Sequence, residues 1–352
     1  MNNLRIATFN LENLDHKPGE KLTLAERIAV MKPQLLRLKA DILCLQEVNG
    51  QETADQPRRL LALAELIEGT PYADYFVAST RTKDGKQVYD ERNLVILSRY
   101  EIVSSRQYKH EYAPAPLYRK VMEKKEEGEG EGEGEGEGGG KVEGKAEKVT
   151  WERPILHARV RVGDEILDVI NLHLKSRNPS NIEGQYRDFR WRNASSWAEG
   201  FFISAMKRVG QALEVRILID KIFNDDEDAL IVVSGDLNSE LDEVPIEAIR
   251  GDVENTGNPD LTSRVMVPCE LTIPESSRYS YLHLGKGRML DHLLVSRGML
   301  ARYRGAEIHN ELLHDESIAF STDKKYPESD HAPVVAEFEL PRRGRKMSKD
   351  DE

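Results

Sequence analysis

Carboxylates, carboxamides and imidazoles recur in this sequence at one kind of place, the end of a short apolar run. Asn10 ends ATFN, Gln46 and Glu47 end DILCLQE, and His173 ends VINLH. Asp236 and Asn238 follow IVVSG as GDLN, Asp291 opens DHLLVS, and Asp330 and His331 precede APVVAEF. Polar groups just past a strand end can face a shared cleft. Singly, each has a plainer reading: Glu47 as a solvated strand end, Asn10 as a turn residue, GDLN as an Asx turn, Asp330-His331 as a loop pair. Together they are oxygen donors and imidazoles with no thiol among them. That is ligand chemistry for a hard cation, Mg²⁺ or Mn²⁺. Zinc is disfavoured, because there is no HExxH and no Cys/His cluster. No GxSxG elbow offers a covalent nucleophile.

Positioning these groups requires strands and helices in alternation. Residues 4–9 read as a strand, and Ile42–Leu45 as a short buried one. Between them Thr23 and Glu26 spell a capping box, followed by Leu24, Ile28, Met31, Leu35 and Leu38 at helical spacing. Pro33 is expected to bend or restart that helix. A second amphipathic helix is expected over 57–68, closed by Gly69. Strand patterns recur at 74–79, 94–98, 154–162, 165–172, 230–234, 290–296 and 333–338. Gly163-Asp164 reads as a hairpin turn. A long helix is expected over roughly 196–223. Hairpins imply antiparallel pairing, so the pattern favours a layered α/β sandwich over a doubly wound parallel sheet.

Composition sets outer limits. The chain has 352 residues, 39% hydrophobic and 32% charged, enough apolar content for a real core. Apolar runs are short, as in Ala229–Val233, so no membrane span is expected. MNNLRIATFN lacks a signal-peptide layout, and the two cysteines, Cys44 and Cys269, form no CxxC. These features point to a soluble, reduced, cytoplasmic protein. The formal charge of −12 argues against a protein that coats nucleic acid through a general basic surface. Residues 123–148 hold ten Glu against five Lys, a net of −5 that leaves −7 for the rest. This alternating Gly/Glu stretch has no apolar face and reads as a flexible insertion. Its Gly134, Gly136 and Gly139 fit GxGxxG, but no strand precedes them. One domain is expected over 1–340, with a charged tail at 341–352.

The segments ATFNLENL, DILCLQEV, NLVILSR, INLHLKS, VSGDLNS, MLDHLLVS and SDHAPVVAEF, in that order over residues 7–338, resemble the endonuclease/exonuclease/phosphatase superfamily. That family includes exonuclease III-like repair nucleases and DNase I-like enzymes. The resemblance implies a four-layered sandwich of the α+β type, two mainly antiparallel sheets packed face to face with helices outside. It implies hydrolysis of phosphodiester bonds with a divalent metal. By motif, Glu47 would ligate the metal, Asn10 would organise it, and Asp330 would complete that side. His173 would donate to a phosphate oxygen. Asp236 and Asn238 would position or deprotonate water and hold the phosphate, and Asp291 would pair with His331. Asp236 and His331 both suit the role of base, and that choice stays open. Asp291 beside His331 would fix its tautomer and raise its pKa. No tyrosine aligns with the one the family's repair nucleases carry.

Substrate class is read from charge. Residues 175–216 hold eight Lys/Arg against four acids, and the arginines Arg187, Arg190 and Arg192 interleave with Tyr186, Phe189 and Trp191. Guanidinium groups bind phosphates and aromatic rings stack on bases, so this segment is a candidate nucleic-acid contact; a solvated loop is the plain alternative. Asn93, at the start of NLVILS, is a further candidate for the phosphate or for a turn. By alternation His292 should face away from Asp291. The competing functions are a phosphatase of the same fold acting on a lipid headgroup, nucleotide or small phosphoester, and a non-catalytic binding module. No protein partner is inferable.

Overall fold

The computed structural model describes residues 2–16, 19, 21–53, 56–121, 145–322 and 324–340. Two six-stranded sheets dominate. The strands of the first, in chain order, are β1 (Asn2–Leu14), β2 (Ile42–Val48), β3 (Phe76–Ser79), β4 (Asn93–Ser98), β11 (Tyr303–Ile308) and β12 (Val334–Leu340). Those of the second are β5 (Ile102–Tyr108), β6 (Ile155–Val162), β7 (Glu165–His173), β8 (Leu230–Asp236), β9 (Val267–Pro268) and β10 (Asp291–Val295). The spatial orders are β11-β12-β1-β2-β4-β3 and β9-β10-β8-β7-β6-β5. Pairing is mainly antiparallel, but the centre of each sheet holds one parallel pair, β1 with β2 and β7 with β8. A parallel neighbour needs a crossover. Helix α1 (Leu24–Leu38) makes the first, and helix α3 (Ala194–Asp225) the second.

Period-two alternation builds the layers. Leu4 and Ile6 of β1, Ile42 and Cys44 of β2, Val169 of β7, Val232 of β8 and Leu293 of β10 fill the space between the sheets. The alternate residues turn outward. Ala7, Phe9, Leu43 and Leu45 meet Met31, Leu35 and Leu38 of α1, and Ile170, Leu172, Ile231 and Val233 meet Val215, Ile219 and Phe223 of α3. Helix, sheet, sheet and helix thus form four layers, and the central strands are buried on both faces. Each such side chain removed from water contributes about 1.5–3 kcal/mol.

Helix α1 runs through Pro33 without a break, so the helix does not restart there. Proline removes one hydrogen bond, but Met31, Leu35 and Leu38 lie fully buried against the sheet on either side of it. That packing holds the turn that propensity alone would loosen. Thr23 and Glu26 form the expected capping box, and the helix ends with Lys39 in the left-handed region. The second helix is shorter than expected: residues 56–59 pair as a strand with 51–53, and α2 covers only Leu61–Ile67. Residues 122–144 and 341–352 lie outside the described residues. Glu147 and Lys148, counted in the insertion by composition, pair instead as a short strand with Tyr118 and Leu117.

Along the inter-sheet face, side chains change from apolar to polar toward one end of the sandwich. On β1 the series is Ile6, Thr8, Asn10; on β7 it is Val169, Asn171, His173; on β8 it is Val232, Ser234, Asp236. Both β1 and β2 bulge here. Between Leu45 and Val48, β2 has one residue more than β4 opposite, and between Asn10 and Leu14 β1 has two more than β2. Glu12, Asn13 and Glu47 take φ of 45°, 52° and 57°. Bulging strips carbonyls of their ladder partners. Asn171 donates to the carbonyls of Leu45 (3.0 Å) and Val95 (2.9 Å) from across the sheets and accepts from Gln46 (2.7 Å). On the other side Arg27 of α1 donates to the carbonyls of Leu11 (2.8 Å) and Glu12 (3.0 Å).

Two outcomes follow from this packing. Asn171→Leu removes the buried hydrogen bonds to the Leu45 and Val95 carbonyls, and urea titration should show a loss of about 2–4 kcal/mol; a loss below about 0.5 kcal/mol would mean that the bulged strand keeps its shape without the bridge. Replacing residues 123–144 with a short Gly-Ser link should leave the melting temperature within a few degrees, since closure entropy varies slowly with loop length. A large fall would mean that the segment contributes to the folded core.

Candidate active site

Asp236 is the hub of the polar end. Gly235 before it must be glycine: its φ is 137°, and a Cβ would lie 2.0 Å from the Leu172 carbonyl oxygen on parallel β7. That close approach sets His173 directly beside Asp236 in register. Asp236 Oδ2 accepts from Asn10 Nδ2 (3.0 Å) and Asn238 Nδ2 (3.1 Å) and lies 3.2 Å from His173 Nε2. Its Oδ1 accepts from the Asn238 backbone N–H (2.9 Å). Burial opposes ionisation of Asp236, but His331 and His173 outweigh it and hold the carboxyl well below its usual range.

His331 is placed by a second buried carboxylate. Asp291 sits opposite Asp236 on antiparallel β10, and its Oδ2 lies 2.6 Å from His331 Nδ1. His331 Nε2 then faces Asp236 Oδ2 at 3.8 Å and Asp330 Oδ1 at 4.0 Å. Burial disfavours the imidazolium, yet Asp291, Asp236 and Asp330 together push its pKa well above the ordinary value. The Ser329 hydroxyl fixes the strand entrance, donating to the Asn10 carbonyl (2.7 Å) and accepting from the His331 N–H (3.1 Å).

Glu47, aimed by the β2 bulge, lies 3.6 Å from His173 Nε2 through Oε1 and accepts from the Asn13 N–H (3.0 Å) through Oε2. Asn10 Oδ1 accepts from the Glu12 N–H (2.9 Å), and Glu12 Oε2 from the Asp330 N–H (3.1 Å). Glu12, Glu47 and Glu316 all act electrostatically on the carboxyl of Asp330. Burial and that repulsion drive Asp330 well above its normal pKa, and burial lifts Glu12 to about 7 against the pull of Arg27. Such crowding of oxygen donors suits a divalent cation, which would relieve it. A different trio, Asp236, Asp291 and His331, has donor atoms within 4.8 Å of one another. There His331 Nδ1 is already engaged at 2.6 Å, so the trio forms a hydrogen-bonded relay more readily than a cation cage.

The polar end therefore joins Asn10, Glu47, His173, Asp236, Asn238, Asp291, Asp330 and His331. It does not include Asn93. That side chain is fully buried and saturated, donating to the Val48 and Tyr89 carbonyls and accepting from Tyr89 N–H and Thr80. Its work is to hold the loop before β4. Arg187, Arg190 and Arg192 lie on a separate exposed hairpin. His292 faces the outer layer, between Glu270 (2.6 Å) and the Ser239 carbonyl (2.8 Å).

Two neighbours carried no signal in the sequence. Arg153, itself buried, sets Nη1 3.2 Å from His173 Nδ1. A guanidinium only donates, so His173 Nδ1 is the acceptor and its proton sits on Nε2, toward Asp236. Burial and Arg153 both lower the His173 pKa, in keeping with a neutral ring. Tyr281 pairs across a β-bridge with His331, their rings 5.4 Å apart. Both come from segments whose approach to the site depends on long-range packing.

The Endonuclease/Exonuclease/phosphatase family model matches residues 7–133. No curated protein matches the chain. Among solved structures, D. rerio TDP2 complexed with single strand DNA product is 16% identical, with 96% of this chain and 99% of that one covered and a TM-score of 0.52. An endonuclease/exonuclease/phosphatase from Bacteroides vulgatus is 16% identical over 97% of this chain and 100% of its own, at 0.53. The 3' phosphatase NExo from Neisseria, bound to product DNA hairpin, is 15% identical over 96% and 100%, at 0.50. At these identities the likeness is one of fold, and it extends over both sheets. The matched family model covers β1 to β5 and the likeness of fold covers the rest of both sheets, so the chain is similar to the endonuclease/exonuclease/phosphatase family.

Proposed function

We propose that this protein hydrolyses phosphodiester bonds with a bound Mg²⁺ or Mn²⁺ and that its substrate is nucleic acid. The observation that carries the chemistry is the linked set of side chains around Asp236, in which each acidic or imidazole group touches the next within 4.0 Å. Glu47, Asn10 and Asp330 would hold the cation, whose chemistry is to polarise the phosphoryl oxygens and stabilise the leaving oxygen. Asp236, fixed by Asn10 and Asn238, orients the attacking water and takes its proton. His331, held by Asp291, meets the negative charge that grows on a non-bridging oxygen. Asn238, its amide hydrogens engaged by Asp236 and the Leu174 carbonyl, holds the Asp236 carboxylate in place, and the neutral His173, its Nε2–H fixed by Arg153, transfers that hydrogen bond from Asp236 to a phosphate oxygen. Side chains from both sheets are needed, so residues 1–340 act as one domain.

Two features support nucleic acid as the substrate. One is the exposed arginine hairpin that follows His173 in the chain. The other is that fold relatives have been seen with DNA products: TDP2 with a single strand and NExo with a hairpin. With bis-p-nitrophenyl phosphate, turnover should vanish in EDTA, return with Mg²⁺ or Mn²⁺, and fall roughly 10²-fold or more in Glu47→Ala. Full turnover in that variant would remove Glu47 from the metal site. For the substrate class, affinity for DNA and RNA is measured against salt. Replacing Arg187, Arg190 and Arg192 by alanine should flatten the slope of log affinity on log salt by about one unit for each phosphate no longer neutralised. Unchanged slopes with intact small-diester turnover would favour a phosphatase acting on smaller phosphoesters.

A further inference from the structure

Beyond the polar end, the exposed hairpin at 186–191 holds a residue whose conformation the fold does not require. Tyr186 pairs with Trp191 and Arg187 with Arg190, so the loop has two residues, Asp188 and Phe189. Both have positive φ, 50° and 60°. This is the primed hairpin geometry that asparagine and glycine ordinarily fill. A bulky side chain there crowds its own backbone. Glycine at 189 would relieve that strain, so the aromatic ring is retained at a cost in stability.

The ring gains nothing inside the molecule in return. Phe189 is 88% exposed. The stem below it, by contrast, is firmly mounted. The Tyr186 and Trp191 rings meet at 5.0 Å, and the Arg192 N–H donates to the Gln185 carbonyl at 2.9 Å. The Gln185 side chain in turn accepts from the Ser196 hydroxyl at the start of α3 (2.8 Å). Trp191 lies against Gly200 of α3 so closely that a Cβ there would come within 2.9 Å of the indole. A rigid stem thus presents an uncovered aromatic face, with the exposed Arg187 and Arg190 on either side of it. In a chain of net charge −12, this is a local cationic and aromatic projection.

We propose that Phe189 is a stacking platform for an unpaired base, with Arg187 and Arg190 on the flanking phosphates, so that the hairpin tip binds single-stranded in preference to duplex nucleic acid. This rests on the nucleic-acid reading above and adds to it a strandedness and a residue. Only an unpaired strand leaves a base face free to lie on an exposed ring, whereas phosphates attract arginine in either form.

Strain and stacking predict opposite consequences of a single change, and that makes the test. Anisotropy of a labelled oligothymidylate and of a blunt hairpin duplex is measured at low salt with the full chain, in EDTA so that no strand is cut. The wild type should bind the single strand more tightly. Phe189→Gly should weaken single-strand binding about tenfold, leave duplex binding in place, and keep or raise the melting temperature. Phe189→Trp should retain single-strand binding. A lower melting temperature with unchanged single-strand affinity in Phe189→Gly would make the ring structural and overturn the proposal. So would equal loss on both ligands, or absent single-strand binding by the wild type. Turnover of bis-p-nitrophenyl phosphate is read in parallel. Intact turnover without strand binding sinks the platform alone, while absence of both sinks the catalytic reading with it.

Discussion

Everything at the polar end depends on two strands that stop being regular at the same level. The bulges of β1 and β2 turn Glu12 and Glu47 toward the inter-sheet gap, and they do so by placing three non-glycine residues at positive φ. That backbone is stable only if its stranded carbonyls find donors. Asn171 supplies them from the opposite sheet and Arg27 from the helix layer. The two sheets are therefore joined by hydrogen bonds directly below the site, in addition to the apolar contacts that fill the rest of the gap. A sandwich held by apolar contact alone tolerates small shifts between layers. A bidentate carboxamide does not, so Glu47 on one sheet and His173 on the other keep their 3.6 Å separation.

The same economy governs the electrostatics. Two buried carboxylates, Asp236 and Asp291, face each other across β8 and β10, and His331 stands between them. Burying either carboxylate alone would be costly. With the imidazolium shared between them, Asp236 stays ionised in an enclosed setting. Burial and Arg153 lower the His173 pKa against the pull of Asp236 and Glu47, whereas three carboxylates raise that of His331, so two buried histidines are pushed in opposite directions. On the other side, Glu12, Glu47 and Asp330 have fewer cations than they need. The site is thus divided into a compensated half and an under-compensated half, and the second is where a divalent cation fits.

Much of this is legible in the chain alone. Strand ends carrying Asn10, Glu47, His173, Asp236, Asn238, Asp291, Asp330 and His331 stand out because a period of two is so local a rule. The GDLN and SDH segments announce turn chemistry by composition. The failures are as physical. Asn93 reads as a candidate because it begins a strand, but its four hydrogen bonds go to the Tyr89 backbone, the Val48 carbonyl of β2 and Thr80. Pro33 reads as a helix breaker, but burial on both sides of it outweighs one missing hydrogen bond. A short strand at 56–59 replaces the first turn of the expected second helix, because local propensity there is weak and a partner strand is at hand.

Along the regular parts of the strands the sequence by itself determined which side chains face the gap between the sheets, since alternation along a strand needs no knowledge of distant neighbours; at Glu12 and Glu47 it did not. It pointed to a layered α/β sandwich through hairpins and alternating strands and helices, while the four layers were implied by the resemblance of its motifs to a known family. Only the tertiary structure decided which of those side chains meet. The pairing of Asp291 with His331, the approach of Arg153 to His173 and the meeting of the Tyr281 and His331 rings all join segments well separated in the chain. The bulges belong to the same class: positive φ at Glu12 and Glu47 runs against the preference of glutamate. It persists because donors from another sheet and another helix satisfy the backbone, and no local pattern can announce a partner that arrives only on folding.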